Sequence, residues 1–122
     1  MPTGEDVVRE SRTFYRTIHH MPPVREDFLS DRDVGKTIPR RPAFVRLWEG
    51  LSVFEALDQA RQKAMEFPMQ GAFIAALAIP SDGRITYERT GKTEGHYTLW
   101  GNADDLLKCV TSVQPVRVPE ER

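Results

Sequence analysis

The apolar run from Ala72 to Ile79 (AFIAALAI) restricts this chain more than any other segment. It falls far short of the roughly 20 apolar residues that a membrane-spanning helix requires. A short apolar run closed by Pro80-Ser81-Asp82-Gly83 reads as a strand buried on both faces, at the centre of a sheet. The rest of the chain must then supply strands to flank it and helices to cover it.

Four further segments read as those strands. Thr13 to Ile18 (TFYRTI) alternates, with Phe14, Arg16 and Ile18 on one face and Tyr15 and Thr17 on the other. Arg84 to Arg89 returns from the Pro80 turn as an amphipathic strand, so it is expected to form a hairpin with the apolar run. His96 to Trp100 (HYTLW) is the third, and a last strand is expected at about Thr111 to Val116.

The covering layer comes from helical patterns. Pro22-Pro23 ends regular structure after the first strand, and a short helix is expected from about Val24 to Ser30. Asp31 to Arg41, with Gly35 and Pro39, reads as a loop long enough to be functional. Pro42 suits the first position of a helical turn through Glu49. Ser52 and Glu55 have capping-box spacing, and Val53, Leu57, Ala60, Ala64 and Phe67 then recur on one helical face until Pro68. The pattern predicts a helix entered at Ser52. Asn102 caps another, with Asp104 and Asp105 in its first turn and Leu106, Leu107 and Val110 on its buried side. The fold class is α+β: a mixed, mainly antiparallel sheet with two principal helices. Residues 1–11 read as a polar lead-in, 12–116 as one domain and 117–122 as a charged tail.

At 122 residues, with 39% hydrophobic and 29% charged side chains, such a domain can build a core without staples. The single Cys109 cannot form an internal disulfide, which points to a reducing compartment and a cytoplasmic location. The first residues, MPTGEDVVRE, are charged and lack the apolar core of a signal peptide. A net charge of −1 supplies no strong field for nucleic acid. The local cluster of Arg40, Arg41 and Arg46, with Lys36 nearby, reads as a solvated loop and helix surface. No membrane partner is expected.

Several sites fail on spacing. Gly91-Lys92-Thr93 resembles the end of a phosphate loop, but Thr86 occupies the place of its first glycine and a strand follows. No G-x-G-x-x-G opens a helix. Gly50-Leu51-Ser52-Val53-Phe54 lacks the last glycine of a nucleophile elbow. His19 and His20 point to opposite sides at a strand end, and no further ligand lies close in sequence, so no metal is expected. Cys109 reads as a packed thiol in an apolar helix face.

An ordered series remains. Arg16 lies in the TFYR strand, Gly50-Leu51-Ser52-Val53-Phe54 runs into an alanine-rich helix, the apolar strand follows, and Glu94-Gly95-His96-Tyr97-Thr98-Leu99-Trp100 comes last. This order resembles the ADP-ribosyltransferase superfamily, including small toxin-like members and poly(ADP-ribose) polymerases, over residues 14 to about 113. The resemblance implies a split pair of small sheets cradling NAD in a cleft. It also implies an NAD-binding transferase or NAD-cleaving enzyme, with NAD as substrate and no metal. Arg16 would stand for the first-strand basic residue and hold phosphate or ribose. Ser52 would order the site, with Tyr15, Gly50 and Tyr97 as further lining. The third motif departs from the family, because His96 stands where a catalytic Glu is expected. Glu94 could substitute, His96 could act as acid or base, or the domain binds without cleaving. Each residue also has a plain structural reading: Arg16 as a surface arginine, Ser52 as a helix cap and His96 as a loop-edge histidine.

Overall fold

Phe14 and Leu77 face each other across two strands, and neither exposes any surface. They mark the centre of the larger core. The computed structural model describes residues 11–117. Their order is β1 (Ser11–Ile18), a 3-10 turn (Arg25–Phe28), α1 (Pro42–Trp48), β2 (Leu51–Phe54), α2 (Leu57–Glu66), a second 3-10 turn (Pro68–Gln70), β3 (Phe73–Pro80), β4 (Thr86–Arg89), β5 (His96–Trp100), α3 (Ala103–Lys108) and β6 (Val110–Pro115). The fold is α+β. The expected principal helices are α2 and α3, and the turn begun by Pro42 is α1.

The sheet runs β4-β5-β2-β1-β3-β6, and every pairing is antiparallel. β1 and β3 pair along their whole length, from Ser11 opposite Pro80 to Ile18 opposite Phe73. The apolar run is therefore a central strand, flanked by β1 and β6. β1 and β2, by contrast, pair only where Tyr15 meets Phe54. Two three-stranded ladders thus join at a single residue pair, and the sheet has a seam.

Alternation assigns the two faces. Phe14, Ile18, Val53, Ala75, Leu77 and Leu99 face a core closed by Phe28 of the first 3-10 turn and by Ala103 and Leu106 of α3. Full burial of each large side chain there is worth roughly 1.5–3 kcal/mol. On the other face Phe54 and Ile74 meet Ala60 and Ala64 of α2, with Tyr15 and Leu57 at the edge. Small alanines let α2 lie close to the sheet.

Three expectations are corrected. Ser52 does not cap a helix; it lies in β2, where Leu51 and Val53 alternate into the core and pair with β5. Sheet pairing outweighs the capping-box spacing, and α2 starts five residues later, with the Gln59 side chain accepting from Ala56 N–H at 3.2 Å. The apolar strand makes no hairpin with the segment after its turn, because β1 and β6 already fill both its edges. An Asp82 carboxylate accepting from Arg84 N–H at 2.9 Å turns the chain, Ile85 drops into the core, and β4 pairs instead with β5. Cys109 follows α3 rather than lying within it; burial raises its pKa, with Asp105 and Asp82 adding to the effect.

Of the lead-in, Ser11 is already in β1, and residues 1–10 and 118–122 lie outside the described residues. No helix among the described residues is long and apolar enough to cross a membrane.

Candidate functional site

Beyond the Tyr15–Phe54 pair, β1 and β2 lose their ladder, and Arg16 fills the gap. It donates from Nη1 to the carbonyl of Ser52 at 3.0 Å and from Nε to the carbonyl of Asp27 at 2.9 Å. A cleft of about 350 Å³ opens at this splayed end of the seam. Tyr15, Arg16 and Thr17 of β1 line one side, and Leu51, Ser52 and Phe54 of β2 with Gly50 line the other. Leu29, Ser30, Asp31 and Lys36 come from the segment after the first 3-10 turn; Leu47 of α1 and Gln70 complete the wall.

The cleft carries a built-in cation. Burial lowers the Arg16 pKa to about 10, against the opposing pull of the Asp27 and Asp31 carboxylates. The guanidinium is therefore still charged at neutral pH. Two carbonyls occupy Nε and Nη1, and Nη2 makes no hydrogen bond among the described residues. That edge of the fork can meet an anion. Asp31 is the one carboxylate in the wall, and Lys36 Nζ lies 3.3 Å from it.

Asp27 organises the surroundings. Its carboxylate is almost wholly buried and accepts from His19 N–H, Val24 N–H and His20 Nδ1, each at 3.0 Å. Burial by itself would raise its pKa; the hydrogen bonds from Val24, His19 and His20 overcome this and leave the pKa lowered.

Gly50 is fixed by close approach. A Cβ there would strike Thr98 Cγ2, the Leu99 carbonyl and Trp100 Nε1. The approach is held by Trp100, which donates from Nε1 to the Arg46 carbonyl at 2.8 Å beneath the Arg46 guanidinium, 3.9 Å above its ring. Trp48 similarly donates to the Lys36 carbonyl at 2.9 Å, tying the loop that brings Lys36 and Asp31 to the cleft.

Of the residues singled out in the sequence, Tyr15, Arg16, Gly50 and Ser52 meet at this cleft, and Glu94, His96 and Tyr97 do not. Gly95, at φ +77°, ends β5, so Glu94 stays in the preceding loop beside a separate depression near Gln59 and Lys63. His96 donates from Nδ1 to the Thr90 carbonyl at 2.9 Å and packs its ring edge against Phe54, with centroids 5.3 Å apart. Phe54 faces the cleft, so His96 stands one side chain away from it. Tyr97 pairs with Val53 and points to the opposite face of the sheet, against Phe14 and Arg12. Period-two alternation separates it from Tyr15 and Ser52.

Asp27, Ser30, Asp31 and Gln70 were not marked by any sequence motif. The one signal near them was the length of the 31–41 connection. No group of three or more metal-ligating side chains is clustered among the described residues. Comparison with protein families, curated proteins and solved structures finds no match to this chain.

Proposed function

We propose that the Arg16 cleft binds NAD or a related nucleotide, as the site of an ADP-ribosyltransferase-like or NAD-cleaving domain. One observation carries this reading. Tyr15, Arg16, Gly50 and Ser52, chosen from two distant segments by the order and spacing of short motifs, line the same cleft. Its volume falls at the low end of the roughly 300–1,000 Å³ of small-molecule sites, room for part of a dinucleotide. The open edge of Arg16 and the nearby Lys36 suit a phosphate, while Tyr15, Phe54 and Leu51 offer a ring an apolar surface. The seam between two three-stranded ladders also supports the reading.

A second reading, a module that binds without cleaving, is favoured by one feature: Glu94 and His96 both lie outside the cleft. Calorimetric titration with NAD and ADP-ribose, followed by an assay for released nicotinamide, separates the two. Binding with release supports the enzyme, and binding without release supports the module. Arg16→Ala should weaken binding by roughly tenfold to a hundredfold, the worth of a charge-assisted hydrogen bond. Glu94→Gln should leave affinity within about twofold, as expected of a separate site. No binding at about 1 mM ligand, a threshold near 4 kcal/mol, would overturn both readings.

A further inference from the structure

An arginine left to itself samples many rotamers, and ordering it costs up to about 2 kcal/mol. Arg16 is ordered by carbonyl acceptors, and one of them, that of Asp27, belongs to a four-residue 3-10 turn. Such a turn holds itself together weakly, here by Asp27 N–H donating to the Val24 carbonyl at 3.0 Å. The Asp27 carboxylate adds what the turn lacks. It accepts from Val24 N–H within the turn and from His19 N–H at the end of β1, three residues beyond Arg16.

The result is a closed circuit. Arg16 reaches the turn through its Nε, the turn reaches back to the strand through the Asp27 carboxylate, and the strand returns to Arg16. His20 Nδ1 on the same carboxylate reinforces the return, and Arg25, the first residue of the turn, lies 3.2 Å from Asp104 of α3 in an exposed pair that adds little. We propose that Asp27 is the positioning residue of the cleft, holding the Arg16 guanidinium so that its open edge faces a bound anion. The part of this that concerns affinity rests on the nucleotide reading; the part that concerns Arg16 does not.

Nitrogen-15 NMR of the Arg16 Nε–H tests the second part without ligand. In the unaltered protein this proton should exchange with water at least tenfold more slowly than that of an exposed arginine. Asp27→Asn should speed its exchange about tenfold beyond any change in the amides of Ala75 and Leu77, in the central strand, which open with the whole molecule. A role in global stability alone would move the Arg16 proton no more than those amides. His20→Ala, which removes one exposed partner of the carboxylate, should fold and give a smaller change of the same sign. Should Asp27→Asn fail to fold, His20→Ala decides. An Arg16 Nε–H as protected in the folded variant as in the parent protein overturns the proposal. In parallel, ADP-ribose affinity should fall about tenfold in Asp27→Asn; a parent protein that binds no ADP-ribose sinks the nucleotide reading and leaves the exchange measurement to judge Asp27.

Discussion

Arg12 places its guanidinium 4.7 Å above the ring of Tyr97 and donates from Nη2 to that tyrosine's hydroxyl at 3.1 Å. The two strands that carry them are not neighbours, since β2 lies between. The contact therefore spans the seam, on the face opposite Tyr15. Glu55 accepts from the same Nη2 at 2.9 Å. With one backbone pair joining the two ladders, side chains must supply much of the remaining tie. Arg12 is partly exposed, so its ion pair is screened and worth little. The cation–π contact contributes about 0.5–1 kcal/mol and the tyrosine hydrogen bond about 1 kcal/mol. Arg12→Ala should thus lower unfolding free energy by about 1–2 kcal/mol in urea. Tyr97→Phe should cost less, and the double variant should cost less than the sum of the two.

Gly50 should tolerate no side chain. The atoms nearest a Cβ include the Leu99 carbonyl, which belongs to the β2–β5 ladder and cannot shift without loosening it. Gly50→Ala should lower stability by roughly 1–3 kcal/mol, as overpacking does. Because Gly50 also lines the cleft, the variant should weaken the proposed nucleotide binding in the fraction that remains folded. Thermal melts and calorimetry on the same sample check both effects.

The central strand was legible because eight apolar residues in a row leave few alternatives, and Asn102 was legible because its acceptance from Asp104 N–H is a local event. Ser52 was misread for a physical reason. Its S-x-x-E spacing states a local preference, while the pairing of Leu51 with Leu99 and Val53 with Tyr97 is a tertiary fact no window of sequence contains. The same holds for β4, whose partner depends on which edges of β3 are already taken. In the site, Tyr15 and Arg16 could be placed on one strand, but alternation puts them on opposite faces, and only the splayed seam brings both to the cleft. Asp27 and Asp31 could not be placed, since turn and loop carboxylates carry no periodicity. Glu94 falls outside the cleft because Gly95, at positive φ, separates it from β5, and His96 does so because β5 lies beyond β2, where His96 pairs with Phe54.

Anion binding in the cleft should fail at high pH. The Arg16 pKa is lowered to about 10, so its charge is complete at neutral pH and is lost as pH rises through that value. An arginine in water would stay charged well beyond it. Affinity for sulfate, whose charge does not change over this range, followed by calorimetry from pH 7 to 10.5, should hold steady at first and then decline toward the upper end. Arg16→Lys should bind more weakly throughout, because a point charge cannot keep both carbonyl contacts and still offer a free edge. Affinity that stays flat to the highest pH would separate the anion from Arg16.

Asp27 should set part of the acid limit of stability. Its folded pKa lies below the ordinary value of 3.8, since the hydrogen bonds it accepts overcome the cost of burial. The sign follows directly: the unfolded chain binds the proton more readily, so stability from this group is full well above 3.8 and is lost as pH falls through the lower folded pKa. Above that window, replacing a buried carboxylate that accepts three hydrogen bonds should cost roughly 1.5–3 kcal/mol for Asp27→Asn, because the amide retains only part of the acceptor capacity. Below it the parent protein has lost the same contribution, and the two unfolding curves should converge. Urea titrations at pH 7, 5, 4 and 3 test this, and a difference that persists undiminished at pH 3 would mean that the carboxylate contributes shape to the turn rather than charge.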